Sequence, residues 1–138
     1  MQARSMLIPA LSAVIIVAAC ATTASQPTRS AQAEADLAKA LAGRVAGPPV
    51  RCISTYHADD MQIIDDWTIL FKDGRTTYVQ TPRGGCWGIA GHHNILISKP
   101  MPSTQLCSGD IQQLLDPVSR INAGSCVFGD FVPYTKPS

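Results

Sequence analysis

Five cysteines are the side chains with the most chemistry to offer in this 138-residue chain. A thiol can be acylated, oxidised to a disulfide, bound to a metal or used as a nucleophile. None of the five forms a C-x-x-C pair, so neither a dithiol redox site nor a zinc knuckle is suggested. Cys20 stands apart at the end of an apolar run. Cys52, Cys86, Cys107 and Cys126 form an even set, which reads as two bridges in an oxidising compartment. Spacing alone does not choose among their three connectivities. Because the first and last strands of a small domain often lie together, Cys52 with Cys126 and Cys86 with Cys107 is the favoured pairing.

The other candidates for chemistry are few. His92 and His93 are adjacent on a Gly-rich stretch and, with His57, are the residues to consider as transition-metal ligands. Adjacent residues in a strand point to opposite faces, so the pair reads more simply as solvated loop histidines, and no metal or other cofactor is expected. Asp59-Asp60 and Asp65-Asp66 bracket MQII but lack the alternating oxygen ligands and glycine of an EF-hand loop, and read as turn residues. No G-x-S-x-G elbow is present, and Ser108 and Ser125 each sit beside a cysteine of the even set. Trp67 and Trp87 are read as packing residues before binding residues. No catalytic residue is assigned, and the chain is read as a non-enzyme.

The elements that position these residues begin with the apolar run LIPALSAVIIVAA, preceded by a single charge at Arg4. A membrane-spanning helix needs about 20 apolar residues, and this run stops sooner, before the polar stretch TTASQPTRS, so residues 1–19 read as a signal peptide. Val17-Ala18-Ala19-Cys20 resembles the lipobox of bacterial lipoproteins, which implies a diacylated Cys20 as the new N-terminus. Each buried CH₂ contributes about 0.8 kcal/mol, so two or three chains hold a protein where one does not. Ala21 lacks the aspartate that often retains lipoproteins in the inner membrane, and the expected address is the periplasmic face of the outer membrane. Beyond residue 19 the chain carries ten basic and ten acidic residues. That balance argues against nucleic acid as a partner and leaves the lipid, not charge, as the membrane contact.

Residues 20–30 then read as lipidated cysteine and tether, 31–47 as a short helix and linker, and 48–138 as the disulfide-bonded globular domain. Ser30 is the expected N-cap of AQAEADLAKALAG, Gly43 its stop, and Leu37 and Leu41 its narrow apolar stripe. WTILFKDGRTTYVQT reads as a hairpin about a type I′ turn at Asp73-Gly74, with Lys72 opposite Arg75 and Ile69 opposite Tyr78. On this register Trp67, Ile69 and Phe71 share a face with Thr76, Tyr78 and Gln80. VRCIS, NILIS and SCVFGDFVPY supply further strands. CSGDIQQLLDP reads as a short internal helix capped by Asp110 and closed by Pro117. The expected fold is α+β to mainly β, a small antiparallel sheet domain of about five short strands with one internal and one leading helix.

The ordered set GPPVRCI, DGRTTY, GGC, LCSGDI and SCVFGDFVPY resembles a family of small uncharacterised proteobacterial lipoproteins, chiefly alphaproteobacterial. The resemblance covers Leu37 to Pro137. It implies a compact disulfide-bonded domain in the cell envelope and carries over no site residue. The functional expectation is a lipid-anchored binding or structural module, with another envelope protein as a further partner. Alternatives are a periplasmic inhibitor of a lysozyme-type enzyme, a small-ligand-binding lipoprotein, or a metal-binding protein using His92, His93 and His57.

Overall fold

The computed structural model describes residues 28–54, 60–91, 94–98 and 104–138. The chain is mostly β, with one short helix, antiparallel sheets and two disulfides. Ten strands in three sheets replace the five expected. Of the additional strands, Val45–Ala46 and Gln105–Cys107 are too short for a period to show, whereas Met61–Asp65 and Ile111–Leu115 are five residues each.

The leading helix α1 (Ala31–Leu41) forms as expected, with the Ser30 hydroxyl accepting from Ala33 N–H at 3.2 Å. It does not hang free of the domain: Ala33 is buried, α1 touches β3 (Met61–Asp65), and Arg29 just before it reaches into the sheet. Leu37 and Leu41 are only half-buried. The segment after the helix is part of the fold too, since β1 (Val45–Ala46) pairs with β10 (Phe131–Thr135).

The hairpin of β4 (Thr68–Asp73) and β5 (Thr76–Gln80) closes one residue later than expected, with Asp73 opposite Thr76, Phe71 opposite Tyr78 and Ile69 opposite Gln80. Gly74 takes the first central position of the turn with a φ of 53°, which is the glycine requirement of a type II′ turn. Moving the turn by one residue moves every cross-strand partner by two, so face membership survives. Ile69 and Phe71 still share a face with Tyr78 and Gln80. Thr68, Leu70 and Thr77 are also buried, so β4 is covered on both sides.

β5 pairs with β10 and β4 with β3, completing a five-stranded sheet in the order β1-β10-β5-β4-β3. β2 (Cys52–Ser54) and β7 (Gln105–Cys107) make a two-stranded sheet. The third sheet holds β6 (Ile95–Ser98), β8 (Ile111–Leu115) and β9 (Asn122–Val127) in the order β6-β8-β9.

β8 is the segment expected as the internal helix. Asp110 accepts Cys107 N–H at 2.7 Å and ends a tight turn, while Asp116 opens the next turn, leaving five residues between them. That is too few to repay helix nucleation. Gln112 and Leu114 are buried alternately against β9, a period of two that the apolar content of IQQLL conceals.

The core gathers Ile69 and Phe71 from the large sheet, Ile53 and Leu106 from the small one, and Leu114 and Cys126 from the third. Phe71, Phe128 and Phe131 meet edge to face, with ring centroids 5.8–5.9 Å apart. Each such pair contributes about 0.5–1.5 kcal/mol beyond burial. The bridges run Cys52–Cys107 and Cys86–Cys126, not Cys52–Cys126 and Cys86–Cys107. Cys52 and Cys107 are direct cross-strand partners in the β2–β7 pair, and β10, not β9, is the strand that returns beside Val50.

Candidate functional site

The turn between β3 and β4 contains Asp66 and Trp67, and its acidic residues are used to shape it. Asp65 Oδ1 accepts Trp67 N–H at 2.8 Å, where the β3–β4 register also slips. Asp66 joins this turn to the Gly-rich loop of residues 84–91. Its carbonyl accepts Cys86 N–H at 2.6 Å and its Oδ1 accepts Ala90 N–H at 3.0 Å. The Cys86–Cys126 bridge fastens the same loop to β9. Gly85 lies flat against Trp67, where a Cβ would come within 3.2 Å of the indole ring.

Trp87 stands on this platform. Its indole meets Trp67 edge to face at 5.4 Å, donates Nε1–H to the Gly84 carbonyl at 3.0 Å, and remains 62% exposed. An open hollow flanks it on each side. One, of about 530 Å³, is bounded by Asp66, Gly88, Asn94, Asp116 and Ala123. The other, of about 450 Å³, is bounded by Arg29, Ser30, Asp65, Trp67 and Ala90. Both are in the size range that accepts a small ligand.

Polar groups around Trp87 are committed to the protein itself. Asp116 Oδ1 accepts N–H from Val118 at 2.8 Å and Ser119 at 2.9 Å, and Asn94 donates to the Gly88 carbonyl at 3.0 Å. Arg29 donates to Asp65 Oδ2 and Thr68 Oγ1, both at 2.6 Å, and pairs with Glu34 at 3.3 Å. Burial opposes its charge, yet the pairs with Asp65 and Glu34 prevail and raise its pKa. The Trp67 Nε1–H is enclosed with no acceptor among the described residues.

The expected site residues separate into three groups. Trp67 and Trp87 come together, as do the four bridging cysteines in their observed pairs. Asp60 lies 3.7 Å from Lys72, Ser108 Oγ accepts from Arg83 at 3.1 Å, and Ser125 is exposed, so none of the three joins the tryptophans. Cys20, His57, Asp59, His92 and His93 lie outside the described residues. Among the described residues no three His, Cys, Asp or Glu side chains gather as metal ligands. Arg29, read from sequence as tether, is the contributor that reasoning missed, because its main partners lie 36 and 39 residues away.

No family model matches the chain, and no match to a curated protein or a solved structure was found. Among the described residues no helix is long and apolar enough to cross a membrane.

Proposed function

We propose that this chain is a lipid-anchored protein of the bacterial cell envelope, attached through acylated Cys20 at the periplasmic face of the outer membrane. Its folded domain binds and does not catalyse. The observation that carries the anchor is cysteine bookkeeping: two bridges use Cys52, Cys86, Cys107 and Cys126, leaving Cys20 as the fifth, at the end of an apolar run in a lipobox-like setting. Membership of the proteobacterial lipoprotein family that the cysteine-framed motifs resemble is part of the proposal. Binding is supported at Trp87, an exposed indole seated edge to face on Trp67 and held by a loop that Asp66 and the Cys86–Cys126 bridge fasten. Small-ligand binding is favoured over a purely structural role by the two hollows beside an exposed indole.

The test is to express the full chain in a Gram-negative host and follow Cys20→Ala. Wild type is expected in the membrane fraction with an intact mass that includes acyl chains, and the variant without them. A wild-type mass without acyl chains sinks the anchor.

A further inference from the structure

We infer that the hollow bounded by Asp66, Trp87, Asn94 and Asp116 is a binding site for an organic cation, a ligand with an ammonium head group. This rests on the small-ligand reading of Trp87 given above and deepens it by naming the ligand's class.

The two hollows that share Trp87 differ in charge. The one beside Trp67 has the Arg29 guanidinium on its wall, together with Asp65 and Asp66. The other has two carboxylates, Asp66 and Asp116, and neither lysine nor arginine among the described residues of its wall. A cation meets attraction there without an opposing like charge on the wall.

Both carboxylates are held in position by main-chain donors. Asp66 Oδ1 accepts Ala90 N–H at 3.0 Å, and Asp116 Oδ1 accepts Val118 and Ser119 N–H at 2.8 and 2.9 Å. The side-chain donors on the same wall turn to the protein itself: Trp87 Nε1–H goes to the Gly84 carbonyl and Asn94 Nδ2–H to the Gly88 carbonyl, each at 3.0 Å. What these side chains present to a ligand is therefore negative charge, oxygen acceptors and an exposed indole. An ammonium group suits all three, since it pairs with carboxylates, donates to their oxygens and is drawn to the negative face of an aromatic ring. The indole is also set in advance. It is 62% exposed, yet its orientation is fixed by the Gly84 bond and by the edge-to-face contact with Trp67 at 5.4 Å, so little ordering is left for binding to supply. At about 530 Å³ the hollow has room for an alkylated head group and part of its tail.

The experiment titrates the full chain, kept soluble in a nonionic polyoxyethylene detergent, and follows the ligand by NMR. The probes are choline, its uncharged analogue with carbon in place of nitrogen, and methyl glucoside. Choline is expected to bind, with the uncharged analogue at least about threefold weaker and the sugar no tighter than that analogue. This comparison needs no variant. Trp87→Leu is expected to weaken choline about fivefold. Asp66→Asn with Asp116→Asn keeps an oxygen acceptor for each main-chain N–H while removing both charges, and is expected to weaken choline about threefold and leave the uncharged analogue unchanged. An uncharged analogue that binds as tightly as choline, choline binding undiminished in a folded double variant, or binding of the sugar alone overturns the cation while the Trp87 site stands. If Trp87→Leu weakens the binding of none of the probes, the cation and the small-ligand reading fall together.

Discussion

Gly129 provides the sharpest test of the packing, because two glycines with ordinary φ values, Gly129 buried and Gly91 exposed, differ sharply in what an added Cβ would meet. A Cβ at Gly129 would lie 2.5 Å from the Thr81 carbonyl oxygen, whereas a Cβ at Gly91 would meet nothing within 4 Å. Ordinary contact begins near 3.4 Å, so Gly129→Ala must separate two backbone segments by about 0.9 Å. Neither segment is free to move. Gly129 lies between Phe128 and Phe131, both fully buried against Phe71, and its carbonyl accepts Gln80 Nε2–H at 3.3 Å. Overpacking of a tight site costs about 1–3 kcal/mol, and loss of the Gln80 bond adds about 0.5–1.5 kcal/mol. A total near 3 kcal/mol corresponds to a melting point lowered by roughly 10–20 °C in a domain of this size. Gly91→Ala should stay within about 0.5 kcal/mol of wild type. Thermal and urea unfolding followed by circular dichroism measures both. If Gly129→Ala melts with Gly91→Ala, the close approach at Thr81 is not real and the reasoning fails.

Two further outcomes follow from the bridges and from Arg29. The bridges close loops of 55 and 40 residues, and the chain-entropy estimate for either is about 4 kcal/mol, so loop length does not rank them. Burial does, since Cys86 is 0% and Cys126 4% exposed while Cys52 and Cys107 are half-buried. Cys86→Ala with Cys126→Ala should therefore cost about 1–2 kcal/mol more than Cys52→Ala with Cys107→Ala, as read by urea unfolding; the reverse order would contradict the core assignment. Arg29→Ala should lose about 1 kcal/mol, less in 1 M NaCl. A guanidinium whose pKa rises on folding contributes stability below its unfolded value and loses it only above the folded one. Deprotonation of Arg29 should therefore produce no step near neutral pH in the difference between wild type and Arg29→Ala. An alkaline step near neutrality would refute the pairing with Asp65.

Much of the local structure was legible because local chemistry decides it. Ser30 caps α1 since a side-chain oxygen next to three free amides needs nothing distant. The β4–β5 hairpin was legible from Asp73-Gly74 between two β-rich runs, and its faces survived an error in the turn because side chains alternate with a period of two. NILIS alternates in the same way, with Leu96 packed on the core and Ile95 and Ile97 exposed. β8 was misread because a five-residue run flanked by aspartates has the signature of a capped helix as well as that of a strand between two turns. What separates them is β9, across a turn.

By itself the sequence determined a β-rich chain with one cysteine apart from an even set of four, a leading helix and a hairpin of known face. Those properties follow from composition, capping and alternation, which act within a few residues. Tertiary structure alone decided which cysteines pair, that Val45–Ala46 joins the main sheet, and that Trp67, Trp87 and Arg29 line one surface. The reason is distance along the chain. Arg29 and Thr68, or Cys86 and Cys126, are brought together by strand order, and strand order is set by how three sheets share a single core.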